Sequence, residues 1–428
     1  MPTPKQLRKV VAVALLLSIG AAAGAQTMEL EGLPGATLES LLEAARANNP
    51  EFASMRLEAD AARERPESAG AFPDPSLRVE LMDVTNGGMT SPNPLPSRVG
   101  ETKYTFMQML PWFGKRAAMR DSAEAEARAV ASRAQGAWLE IAMKVKSAYA
   151  QYFLGYENER LVREVLDLMM RLETVAQARY AGGLAAQQDA IRAQVEITTM
   201  RTDLIMIEAE RRRAAARLNA LTGRPIVARL AEPRRARPIP PPARLQVADL
   251  RDRIEARNPT VAAEAARVES ATRMLDGAYL NRYPDVTVGV APTQMGRRIA
   301  EWEVMFEVSI PLQQGSRRAK EREARAMLDA AKARREAAAN TAAGELGEAV
   351  AGLEAARSTE TLIAGSLLPQ AELTFQSALA AYENGKVDFA TLLDAQRQIL
   401  RARQERLKAQ AEAQMRLAEI ERIVGEDL

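Results

Sequence analysis

The sequence predicts a mostly α-helical chain with a small β part, built from two tandem copies of one unit. Three observations carry this. Proline is absent from residues 112–224, a run of 113, and 312–428 holds only Pro369. A set of short motifs occurs twice in the same order. Four segments alternate apolar and polar residues with a period of two.

Composition narrows the chemistry first. The 428 residues include no Cys and no His, with 58 basic and 56 acidic side chains and 4% aromatics. Without Cys there is no disulfide framework, thiolate nucleophile or lipidated N-terminal cysteine. Without His there is no Ser-His-Asp triad and no HExxH metal site. Paired-acid, P-loop and GxGxxG contexts are also missing, so an enzyme is not expected, nor a cofactor or resident metal.

Residues 1–25 read as a secretory signal peptide. Lys5, Arg8 and Lys9 precede the apolar run Val10 to Ile19, and Ala23-Gly24-Ala25 fits the small-residue cleavage rule. Removing them leaves 55 bases and 56 acids, a net charge of −1 in place of +2. The basic excess therefore belongs to the leader, and nucleic acid is not an expected partner.

The first repeat is expected over 26–223. It holds a helix, strands at about 76–83 and 102–110, and a long helical hairpin over 115–222. Proline inside a helix costs about 3 kcal/mol, so long proline-free spans rich in Ala, Glu, Arg and Leu read as long helices. Leu161, Val165, Leu168, Leu172 and Val175 form a 4-3-4-3 stripe for side-by-side packing. A helix over 115–180 would run roughly 100 Å at 1.5 Å per residue, too long for one compact core. Residues 224–246, with Pro233, Pro238 and Pro240 to Pro242, read as a stiff extended linker. The second repeat is expected over 247–428, with a helix, strands at about 285–291 and 302–310, and a hairpin over 315–425.

The duplication rests on ordered pairs. Asn49-Pro50 recurs as Asn258-Pro259, Phe72-Pro73-Asp74 as Tyr283-Pro284-Asp285, and Leu110-Pro111 as Ile310-Pro311. Tyr180 recurs as Tyr382, Gly183 as Gly385, Ala193-Gln194 as Ala395-Gln396, and Gly223 as Gly425. Such a series marks an internal repeat.

Three of the four strands alternate clearly, while 102–110 is less regular, with Tyr104 and Phe106 on one face. Trp302, Val304, Phe306, Val308 and Ile310 share one face; Glu303, Met305, Glu307 and Ser309 share the other. Val286, Val288 and Val290, and Leu77, Val79 and Leu81, repeat the pattern. Length and alternation suit a tilted membrane strand, and equally a half-buried soluble sheet. Four strands cannot close a barrel, and lipid tolerates no open edge, so spanning strands must be pooled by several chains. Residues 83–101 (with Asn86-Gly87-Gly88) and 292–301 are then the expected external loops.

The order of helix, two strands, long helix, glycine turn and helix, run twice after a leader, resembles the TolC family of outer-membrane efflux channels. Phe72-Pro73-Asp74-Pro75 and Pro111-Trp112-Phe113-Gly114-Lys115-Arg116 resemble the heavy-metal branch of the CzcC and CusC type. The resemblance implies a homotrimer whose twelve strands form a barrel in outer-membrane lipid and whose helices form a periplasmic tunnel. It also implies a periplasmic adaptor and an inner-membrane RND pump as partners. Gly183, Leu184, Gly385 and Lys386 fall on the tips that meet the adaptor. Asp189 and Tyr382 fall on gate positions, and Asp394 on the inner of two pore acids. Val387, Thr391 and Gln188 depart from TolC's arginine, outer aspartate and threonine. The function implied is a passive conduit for heavy-metal cations. The alternatives are a drug-efflux or type I secretion channel, and a soluble periplasmic coiled-coil adaptor. Of the 18 methionines, most read as core filler, although thioether also suits Cu(I) and Ag(I).

Overall fold

The computed structural model describes residues 34–85, 88, 91–92 and 94–428. The expected leader, and Asn86 and Gly87 of the first expected loop, lie outside the described residues. The chain begins with α1 (Leu38–Asn48) and α2 (Pro50–Gly70), then β1 (Ser76–Met82) and β2 (Glu101–Leu110). The long α3 (Lys115–Ala181) and α4 (Gln187–Leu221) complete the first half. The second half repeats the order with α5 (Val247–Arg257), α6 (Pro259–Leu280), β3 (Asp285–Met295), β4 (Arg298–Ser309), α7 (Gln314–Leu362), α8 (Leu368–Glu383) and α9 (Phe389–Val424).

The repeated Asn-Pro pairs have a local cause. Asn49 accepts the Phe52 amide at 3.0 Å, and Asn258 accepts the Thr260 and Val261 amides at 2.8 and 3.0 Å. Each Asn thus caps a helix whose first residue is the proline, where a missing N–H costs nothing.

The strands form one antiparallel sheet in the order β1-β2-β3-β4. The register carries the alternation across all four. Leu77 faces Phe106, Phe106 faces Val290, and Val290 faces Val304. One face is therefore apolar from edge to edge, and Leu77, Val79, Phe106, Trp302, Val304, Phe306 and Val308 are exposed on it. On the opposite face Lys103 donates to Glu303 at 2.7 Å. The second expected loop is largely strand. The β3–β4 ladder runs on through Thr293 and Gln294, and only Gly296 and Arg297 turn, Gly296 at φ +64°. Pro292 removes one donor from the ladder, while its neighbours keep theirs and continue the pairing.

Two compact units emerge. One takes the described residues up to 53, Ala137–Arg253 and Ala343–Leu428; the other takes Ser54–Gly136 and Ile254–Ala342. Each draws on both sequence halves. In the first, Leu161, Val162, Val165, Met169, Leu172 and Ala176 of α3 pack with Ile197 and Met200 of α4 and Phe389 and Leu392 of α9. The expected stripe holds at Leu161, Val165 and Leu172, but Val175 is 45% exposed and Ala176 replaces it. A helix has 3.6 residues per turn, so a 3.5-residue seam drifts by about 20° per heptad and its last member rolls outward. Met169 and Met200 are fully buried filler. The proline-rich linker is pinned within the same unit: Arg237 donates to Glu421 at 2.5 and 2.6 Å, and Arg357 donates to the Pro240 carbonyl at 2.5 Å.

The two long helices differ by one residue. Gly114 and Gly315 are 201 positions apart, and Tyr180 and Tyr382 are 202 apart. Between α7 and α8 lies a single π-helical turn, Ile363–Leu367, closed by the Leu368 amide on the Ile363 carbonyl. A π turn holds one residue more than an α turn, so it absorbs the insertion. It also surrounds Gly365, whose carbonyl a regular helix would drive against the ring of Pro369.

Candidate functional site at the hairpin turns

Both hairpins reverse by the same local chemistry. Gly183 takes φ +71° and Gly385 φ +69°, the left-handed region open to glycine. The Leu184 amide donates to the Arg179 carbonyl at 2.8 Å, and that of Gly183 to Tyr180 at 2.9 Å. In the second hairpin Lys386 donates to Ala381 at 2.8 Å and Gly385 to Tyr382 at 3.0 Å. These are paired Schellman bonds, which satisfy the last carbonyls of each helix. The turns then part in character. Asp388 caps α9, accepting the Thr391 amide at 3.0 Å and hydroxyl at 2.7 Å, whereas Ala186, at the cap position of α4, offers no side-chain bond. Those two bonds hold the Asp388 carboxyl below its ordinary range against a smaller burial effect, with help from Arg192 at 3.9 Å.

The structure brings Asp189 and Tyr382 into one cluster. Tyr382 is 3% exposed and packs edge-on against Phe389 at 5.6 Å. Its pseudo-equivalent Tyr180 is 46% exposed, so the duplicated tyrosines serve different ends. Asp189 is 9% exposed. Burial pushes its carboxyl above the ordinary range; Arg192 pulls it back, Asp388 adds to the rise, and Arg179 opposes it. Burial likewise raises the Tyr382 phenol, and the Asp189 charge acts in the same direction. The phenol oxygen of Tyr382 is buried and makes no hydrogen bond, so none joins it to Asp189.

Asp394 stands apart, with a side chain 68% exposed, and pairs with Arg397 at 3.5 Å. Arg397 in turn clasps the buried Glu196 at 2.5 Å, linking α9 to α4. The tip residues Leu184, Gly385 and Lys386 are exposed. Sequence reading missed three participants. Arg179 lies with its guanidinium carbon 4.9 Å from the Tyr382 ring centroid and donates to the Glu383 carbonyl at 2.9 Å. Glu196 and Arg397 join α4 to α9. No periodicity separates these charged side chains from the solvated ones beside them. Among the described residues no cluster of three or more acidic groups is arranged to hold a metal ion. No helix among them is long and apolar enough to cross a membrane.

A duplicated helical hairpin, a four-stranded sheet with one bare apolar face, and a pair of glycine turns make up an architecture shared with outer-membrane efflux channels. The chain belongs to the outer membrane efflux protein family, whose profile matches it twice, over residues 41–224 and 250–426. It is 26% identical over 403 residues to the cobalt-zinc-cadmium resistance protein CzcC of Cupriavidus metallidurans, covering 91% of this chain and 90% of that one. Its fold is similar to that of CusC, at TM-score 0.76 and 18% identity over 91% of this chain and 92% of CusC. It is also similar to the outer-membrane channel OprN, at 0.73 and 22% over 91% and 89%, and to MtrE of Neisseria gonorrhoeae, at 0.74 and 16% over 93% and 92%.

Proposed function

We propose that the chain forms a trimeric, passive outer-membrane conduit that exports heavy-metal cations, fed by an inner-membrane RND pump through a periplasmic adaptor. The observation that carries the membrane half of this reading is the exposed apolar face running through all four strands. A monomer leaves that face and both sheet edges open, which lipid tolerates only in a closed barrel. Three chains supply twelve strands. Residues 1–25 then act as the export leader, and the metal cargo is read from the likeness to the cobalt-zinc-cadmium resistance protein CzcC. A conduit needs no tight cargo site, since tight sites slow release.

The glycine turns are read as the adaptor-facing tips, and Asp189, Tyr382 and Asp394 as the closure. Three exposed copies of Asp394 lower the potential of a narrow aperture and favour cations, with Arg397 offsetting part of that charge. The cargo test is a clean deletion strain. Increased sensitivity to cobalt, zinc or cadmium, restored by the full chain, supports metal export. Unchanged metal tolerance with increased drug sensitivity replaces it by the drug-efflux reading. Recovery of the mature chain in the soluble periplasm removes the channel reading altogether.

A further inference from the structure

We infer that Arg179 is the latch that joins the two hairpin turns, so that they cannot part until Arg179 lets go. The inference rests on the reading of these turns as the channel's closure.

Arg179 belongs to both turns at once. Its carbonyl accepts the Leu184 amide in its own turn. Its side chain leaves that turn and donates to the Glu383 carbonyl at 2.9 Å in the other. Glu383 is the last residue of α8, so its carbonyl has no partner within the helix and lies at the negative end of the dipole. A cation there satisfies the orphan acceptor and the field together. The same guanidinium lies 4.9 Å from the Tyr382 ring centroid, a cation–π distance. The ring, not the hydroxyl, therefore carries the contact: the phenol oxygen makes no hydrogen bond. The link runs one way. Under the 202-residue repeat the counterpart of Arg179 is Ala381, and the exposed Tyr180 has no such cover. A second side-chain link across the turns, Arg192 to Asp388, is looser at 3.9 Å. Val387, where the resemblance leads one to look for an arginine, offers no charge, and Arg179 supplies one from the neighbouring helix.

The test uses full-length trimers in planar bilayers. Arg179→Ala is expected to raise open probability about thirtyfold, the low end of one charged hydrogen bond and one exposed cation–π contact together. Arg179→Lys keeps a cation over the ring but loses the fork, and is expected to fall between the two. Should the alanine variant fail to assemble, the lysine variant carries the reading. Tyr382→Leu removes the ring and is expected to open. The effect of Arg179→Ala then shrinks in the Tyr382→Leu background, which general loosening of the fold would not produce. Wild-type gating by Arg179→Ala and Arg179→Lys, with opening by Tyr382→Leu, overturns the latch and leaves the closure standing. Wild-type gating by all of them, and by Asp189→Ala, overturns both.

Discussion

Gly183 and Gly223 share a left-handed backbone, at φ +71° and +67°, yet their surroundings differ sharply. A Cβ at Gly183 meets nothing within 4 Å. At Gly223 it falls 2.5 Å from the Asn48 carbonyl oxygen, a backbone atom that cannot step aside. Gly183→Ala is therefore expected to cost only the left-handed conformation, about 1–2 kcal/mol. Gly223→Ala adds an overpacking penalty of about 1–3 kcal/mol. Thermal unfolding in detergent should rank them in that order, and equal losses would contradict the geometry. Asp189 gives a second prediction at this scale. Burial raises its carboxyl pKa in the folded chain, so the folded state holds its proton more tightly than the unfolded state. The sign follows: stability is greatest below the ordinary aspartate value of about 4 and falls as pH rises through the raised one. Asp189→Asn is expected to remove this slope and stabilise the tip at neutral pH, even with Asp388, Arg192 and Arg179 unchanged around it. Melting curves followed across pH 4 to 7 check it; an unchanged slope rules out the assignment.

At the scale of elements, the glycine turns were legible because a left-handed turn has one favoured residue type, whereas the Asn-Pro pairs were legible only as marks of the repeat and their capping role came from the structure. The long helices were legible from the absence of proline. The π turn was not, because an insertion of one residue leaves no compositional mark in an Ala-rich helix. It follows that deleting Gly365 together with Pro369→Ala should restore a regular α-helix with the Tyr382 turn in the same phase. Deleting one residue from a regular stretch of α3, such as Ala134, rotates everything beyond it by about 100°. The first variant is expected to form trimers with near-normal yield, and the second is not. Trimer assay by gel mobility decides, and failure of both would mean that the π turn does more than absorb a residue.

At the scale of the whole molecule, the sheet decides where the protein lives. If the face bearing Phe306 meets lipid, Phe306→Arg places a charge in hydrocarbon at a cost of about 2–4 kcal/mol. Glu307→Arg, on the opposite polar face, avoids that cost. Outer-membrane recovery is expected to fall for the first and hold for the second; equal recovery would show that this face does not meet lipid. The same scale explains the sheet's pairing. Each half contributes one hairpin, and β2 joins β3 across 175 or more residues of chain, a contact that no local pattern announces.

The sequence by itself determined the duplication, the helical class, the four strands with their two faces, and the turns at Gly183 and Gly385. All of these are period, cap or breaker signals, each read within a few residues. The tertiary structure alone decided which charged and aromatic side chains meet. It exposed Tyr180 and buried Tyr382, left Asp394 on the surface with Arg397, and set Arg179 over the neighbouring turn. The physical reason is that a repeat specifies equivalent positions, whereas burial and charge pairing depend on what the other helices bring beside them.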